Sequence, residues 1–215
     1  MARTAKLIGF GLAFMGAAAL SACIESAPPT EAPPPVEAEL TGPWTLNPEA
    51  SALTYLSIKS NNIAEVNTFG ELSGSVSEDG AASISINLNS VNTNVDIRNE
   101  RMRNVFFETE TYPAATVTTD IDMAQFTDID IGDSVAVPLR FDISLHGATR
   151  AYDFDAEVTR LGANKVLVDS DAPLILYPED FDLIDGLAQL QALAGIDAIT
   201  PIVPVNVSFV FERKG

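Results

Sequence analysis

The sequence predicts an all-β domain in which one long antiparallel sheet closes on itself. Three observations carry this expectation. Beyond residue 40 the dominant hydropathy period is two, the mark of half-buried strands. The alternating runs reach about nine to twelve residues, longer than the usual strand of about five or six. Two of the longest meet at Leu145-His146-Gly147, a tight hairpin signal. A long sheet with one apolar face has edges to protect, and closure removes them.

In chain order, strands are predicted at 43–47, 51–60 and 63–73. "ASISINLNS" then places Ile84, Ile86 and Leu88 on one face, with Ser83, Ser85, Asn87 and Asn89 on the other. A strand at 115–122 follows. "VAVPLRFDISLH" groups Val135, Val137, Leu139, Phe141, Ile143 and Leu145 opposite Arg140, Asp142, Ser144 and His146. "AYDFDAEVT" sets Tyr152, Phe154, Ala156 and Val158 against Asp153, Asp155, Glu157 and Thr159. The hairpin therefore joins 134–146 to 148–160. A strand at 164–171 precedes "IVPVNVSFVFE", where Val203, Val205, Val207, Phe209 and Phe211 share a face.

Two stretches lack this period. "VDIRNERMRNVFF" predicts a short helix or helical loop near 95–107. "PEDFDLIDGLAQLQALAGI" has start signals at Pro178 and Asp180 and a stop at Gly195, which predicts a helix near 179–194. Its Leu183, Leu187, Leu190 and Ala194 form one stripe, expected to pack on the sheet or to cover one end.

The chain opens with Arg3, Lys6 and an apolar run from Leu7 to Ala19. That run is shorter than the roughly 20 residues of a transmembrane helix and fits an export signal over residues 1–22. Leu20-Ser21-Ala22-Cys23 resembles a bacterial lipoprotein lipobox, which implies cleavage before Cys23 and a diacylglycerol on its thiol. Ile24, where Asp would favour inner-membrane retention, points to outer-membrane anchoring on the periplasmic side. Residues 24–40 contain five prolines and four glutamates. Such a segment buries too little apolar surface to offset its ordering entropy, and it is expected to act as an extended tether. The organisation expected is thus a signal at 1–22, a lipidated Cys23 with its tether to residue 40, and one domain over 41–215.

Composition excludes several chemistries. Cys23 is the only cysteine, so with its thiol acylated the mature chain has none left for a disulfide, a nucleophile or a thiolate metal site, and with His146 the only histidine a multi-histidine metal site is ruled out. No Asp-x-Asp-x-Asp-Gly calcium loop is present. Cleavage before Cys23 removes Arg3, Lys6 and no carboxylate, which moves the formal charge from −18 to −20. So acidic a surface repels nucleic acid and anionic membrane faces, which leaves the lipid anchor as the only membrane contact.

Three features remain as candidates. His146 sits at a strand end beside a turn, with no Gly-x-Ser-x-Gly elbow to supply a nucleophile. A histidine hydrogen-bonded within its hairpin, a general base and a polar ligand contact all fit that position. Arg98, Arg101 and Arg103 cluster in an otherwise acidic chain. They suit either an anionic head group or pairing with Glu100, Glu108 or Glu110. The apolar faces are the third. An eight-stranded closure leaves an interior that side chains fill or that holds one small ligand. Small Ala136 and Ala156 would leave room there, with Phe141, Tyr152, Phe154 and Phe209 as walls.

"VNTNVDIRNERMRNVFFETETYP" (Val91 to Pro113) and "ISLHGATRAYDFDAEV" (Ile143 to Val158), with the opening "WTLNPEASALTYLSIKS" (Trp44 to Ser60), resemble the YceI-like family of exported, lipocalin-like proteins associated with polyisoprenoid binding. The resemblance covers about 43–213. It rests on Thr93, Arg98, Arg103, Phe106, Phe107, Tyr112 and Pro113 in the central motif and on His146 and Gly147 in the hairpin. Asn92 stands where Asp is usual, Asn94-Val95 replaces a common Gly-Asn, the first hairpin lacks a frequent histidine, and 172–200 is longer than in short members.

The resemblance implies an eight-stranded antiparallel barrel around a long apolar tunnel. Ile84, Ile86, Leu88, Phe106, Phe107, Leu139, Phe141, Ile143, Tyr152, Phe154, Val205, Val207 and Phe209 are the expected lining. Arg98, Arg103 and His146 are the expected head-group contacts. The implied role is a periplasmic, lipid-anchored carrier of an amphiphilic isoprenoid lipid or quinone, with no cofactor and no catalysis. The alternatives are a packed structural or interaction barrel acting in envelope stress, and a hydrolase using His146.

Overall fold

A computed structural model of the chain describes residues 40, 42–60 and 62–213. The signal at 1–22, Cys23 and the tether through residue 39 lie outside the described residues. Leu40, assigned above to the tether, is buried, and its carbonyl oxygen accepts from Trp44 Nε1 at 3.4 Å.

The alternating sequence folds as predicted into antiparallel strands. They are β1 (Trp44–Leu46), β2 (Ala52–Lys59), β3 (Ile63–Phe69), β4 (Leu72–Val76), β5 (Ala81–Asn87), β6 (Val91–Asn92), β7 (Ala114–Asp120), β8 (Ser134–Leu145), β9 (Ala148–Gly162), β10 (Lys165–Ser170), β11 (Leu174–Leu176) and β12 (Val203–Glu212). Four pairs of these are single ribbons interrupted once: β1–β2, β3–β4, β5–β6 and β10–β11. Each ribbon pairs with its neighbour in sequence, and β12 pairs with both β1 and β2. The result is a closed, eight-stranded, up-and-down barrel.

The interruptions have local causes. The predicted strand over 63–73 breaks at Gly70-Glu71, where Gly70 N–H donates to the Ser90 carbonyl and Glu71 N–H to Ser90 Oγ. The strand predicted through Asn89 ends at Asn87, whose side chain accepts from Asn89 N–H and starts a 3-10 turn at Leu88–Ser90. Leu88 remains buried.

Up-and-down topology sorts the connections to two ends. Residues 77–80, 121–133 and 163–164 form the lower end, where Phe126 and Ile129 are buried and Arg160 Nη1 donates to the Ile129 carbonyl at 2.8 Å. Residues 60, 62, 93–113, 146–147 and 177–202 form the upper end. Both helical segments are there.

The first, α1 (Asp96–Arg101), runs into a π-helical turn at Met102–Phe106, closed by Phe107 N–H on the Met102 carbonyl. The second differs from the uninterrupted 179–194 helix expected. Pro178–Phe181 is a 3-10 turn, Asp182 adopts a left-handed φ of 57°, and α2 (Ile184–Ala194) starts beyond it. The reason is Phe181, whose side chain is only 1 % exposed. Anchoring it in the core redirects the chain before the helix can propagate. Gly195 ends α2 in the left-handed region, as predicted.

Ala136, expected to face inward, is exposed, because it lies on the opposite face of β8 from fully buried Val137. Ala156 opposes Val137 across β8 and β9 and is completely buried.

Candidate functional site

The inward side chains leave a cavity of about 690 Å³ along the barrel. At the lower end Trp44, Val76, Met123 and Phe126 line it; at the upper end Phe181, Leu183, Leu187 and Leu190 do. The leucine stripe of α2 therefore faces the cavity and covers it. Gly186 makes this fit possible: a Cβ there would lie 3.1 Å from the Val105 carbonyl oxygen and 3.3 Å from Phe106 Cα. The size falls within the range of about 300–1,000 Å³ typical of small-molecule sites.

Twelve of the thirteen residues expected to line the interior do so. The exception is Tyr152. Its ring lies 6.2 Å from that of Phe181, and its hydroxyl donates to Asp180 Oδ2 at 2.7 Å. Burial, reinforced by that carboxylate, pushes the Tyr152 phenol well above its ordinary range. Tyr152 thus holds the 178–181 turn in place. Phe106 and Phe107, presented by the π turn, meet edge-on at 4.9 Å. An aromatic row continues through Phe69 to Tyr55, with ring centroids 6.0 and 5.5 Å apart.

The candidate head-group contacts separate. Arg98 lines the cavity near the upper rim, together with Arg101, but Arg103 and His146 do not. Arg98 Nη1 donates to Glu65 Oε2 at 2.6 Å and Nη2 to the Thr93 carbonyl. Its carboxylate partner is therefore neither Glu100, Glu108 nor Glu110, but one on β3. Asn99 Oδ1 accepts from both the N–H and the hydroxyl of buried Thr93, which fixes this loop.

His146 has a structural environment. With Gly147 it forms a two-residue hairpin loop at φ 51° and 81°, the double positive φ of a type I′ turn. Its ring lies 4.4 Å from that of Tyr112; Nδ1 is 3.2 Å from the Phe181 carbonyl oxygen and Nε2 is 3.4 Å from Glu108. A Cβ on Gly147 would come within 3.1 Å of Tyr112. The Tyr-Pro and His-Gly motifs thus pack on each other outside the cavity. Ser144 pairs with Thr149, and Asp142 points to solvent, so neither joins His146 in a catalytic arrangement.

The cavity reaches solvent at the upper rim, where Ile63, Val95 and Ile97 line it and are also about half exposed. Beside them Glu65 bridges Lys59 Nζ at 2.9 Å and Arg98 at 2.6 Å. Burial alone would raise the Glu65 carboxyl, but the two cations together hold it below its ordinary value. A depressed carboxylate stabilises the fold at neutral pH and loses that contribution as pH falls through its folded value, below 4.5. Glu65→Gln is accordingly expected to be less stable than wild type by under ~1 kcal/mol at pH 7, since the bridge is partly exposed. Thermal unfolding of both proteins across pH 7 to 3 should show the two curves converging in acid.

Polar residues on the inner face of β3, Glu65 and Asn67, were not visible as site residues in the sequence. Alternation there reads the other way, because Val66 is the exposed residue, at 57 %.

A YceI-like domain model matches residues 44–211. Among solved structures, a polyisoprenoid binding domain from Saccharophagus degradans implicated in plant cell wall breakdown is 36 % identical. The match covers 80 % of this chain and 98 % of that one, with a TM-score of 0.78. Burkholderia cenocepacia BcnA shares the fold at 16 % identity and a TM-score of 0.60, over 77 % of this chain and 98 % of its own. No curated protein sequence matches the chain.

Proposed function

The chain belongs to the YceI-like family, and from that premise we propose that its barrel binds and carries an amphiphilic lipid with an isoprenoid tail, a quinone or a polyprenyl lipid. The observation that carries this reading is the apolar cavity running the barrel's length and reaching solvent at one end. The shape suits a slender tail with a polar head near the rim, and the relative at 36 % identity is itself described as polyisoprenoid binding.

The energetics agree. Each isoprene unit buries five carbons, worth at most ~4 kcal/mol at ~0.8 kcal/mol per carbon. Three or four units then offset an association cost of ~4–15 kcal/mol. In this reading the lipidated Cys23 anchors the protein to the outer membrane, and the acidic, proline-rich tether lets the barrel sample the periplasm. The support for that part is the sequence of residues 1–40.

Organic extraction of the barrel domain (residues 40–215), purified without detergent, followed by mass spectrometry tests the carrier reading, and the detergent-extracted full chain supplies the intact mass. A stoichiometric isoprenoid or quinone is expected, and the intact mass should show a diacylated Cys23. Lipid-free protein that also fails to take up added quinone would favour the packed interaction barrel instead.

A further inference from the structure

Three buried polar atoms at residues lining the cavity have no hydrogen-bond partner among the described residues: Tyr55 Oη, Asn67 Oδ1 and Arg98 Nε. Buried polar groups are almost always partnered, and leaving one unpaired costs about 1–3 kcal/mol. The three belong to one neighbourhood. Tyr55 and Asn67 are directly opposed on β2 and β3, so their side chains share the inner face. They are only 8 % and 1 % exposed. Arg98 bridges to β3 through Glu65. Its charge also acts on the Tyr55 phenol, opposing the rise that burial causes.

The orientations of the free atoms are determined by what their neighbours already do. Asn67 Nδ2 donates to the carbonyls of Tyr55 and Glu65 and to Ser57 Oγ, at 3.4, 3.2 and 3.1 Å, so the amide oxygen is the atom left over. Arg98 engages both terminal nitrogens, on Glu65 and on the Thr93 carbonyl, and leaves Nε–H. An amide oxygen only accepts, a guanidinium N–H only donates, and a phenol does both. An occupant that completes all three must both donate and accept.

An alcohol or phenol hydroxyl meets that requirement. A quinone carbonyl only accepts and would leave Asn67 unpaired. A phosphate or carboxylate likewise lacks the donor and would also face Glu65, which already occupies Arg98 at 2.6 Å. Building on the lipid-carrier reading, we propose that the cavity selects its isoprenoid ligand by a neutral hydroxyl head, a prenol or a reduced quinol, seated among Tyr55, Asn67 and Arg98 near the upper rim.

Trp44 is the only tryptophan and lines the cavity, so its fluorescence reports occupancy. The purified full-length protein, stripped of co-purifying lipid, is titrated with geranylgeraniol, with its monophosphate and with the corresponding hydrocarbon lacking the hydroxyl. The alcohol is expected to bind about tenfold or more tighter than the hydrocarbon, as one well-made buried hydrogen bond predicts. Tyr55→Phe, and independently Arg98→Lys, should cut that alcohol-to-hydrocarbon ratio about tenfold. Equal affinities for alcohol and hydrocarbon, or tightest binding of the phosphate, would overturn the hydroxyl subsite while leaving the carrier reading intact. Failure of all three ligands to bind would overturn both.

Discussion

Ile84→Trp is expected to abolish uptake of isoprenoid lipid while the protein stays folded. Ile84 lies on β5 and lines the middle of the cavity, opposite Gly74 on β4 and Val117 on β7. The substitution directs an indole into open space rather than into a packed core, so the barrel need not rearrange. A tail entering from the rim then stops short. Each excluded isoprene unit forfeits up to ~4 kcal/mol, an affinity loss approaching a thousandfold. Titration of the variant with a long-chain prenol, beside a far-UV circular dichroism spectrum matching wild type, checks the prediction. Undiminished binding would mean that the tail does not occupy the barrel.

Phe181→Ala is expected to have the largest effect on stability, a loss of about 3–5 kcal/mol. The side chain is 1 % exposed, stacks with Tyr152 at 6.2 Å and closes the upper cavity. Removing it enlarges a space the surrounding barrel cannot collapse into. It also loosens the turn that Tyr152 holds through Asp180. The urea midpoint should fall accordingly, and the melting temperature by roughly ten degrees. A shift under about 1 kcal/mol would show that α2 and its leading turn are held by the helix's own contacts instead.

Much of the interior was legible from the alternation alone. Leu139, Phe141, Ile143 and Phe154 on β8 and β9 reach the cavity because successive strand residues face opposite sides. The helical stripe Leu183, Leu187, Leu190 and Ala194 was equally readable, and it lines the same space. Tyr152 has the right parity but sits where the barrel wall meets the 178–181 turn, a contact no periodicity encodes. Glu65 and Asn67 were hidden for the opposite reason. A hydropathy pattern assumes that the inner face is apolar, and the inner face of β3 carries the cavity's polar groups.

The antiparallel strands, most of their inward residues and the apolar stripe from Leu183 to Ala194 follow from the sequence, because strand parity, turn chemistry and helix signals act over a few neighbouring residues; that the stripe covers one end of the barrel does not. The tertiary structure decided which polar groups meet. Arg98 reaches Glu65 across 33 positions, and His146 meets the Phe181 carbonyl across 35. Those contacts depend on barrel closure and on how α1 and the 178–181 turn pack over its rim, and neither is a property of any local stretch of chain.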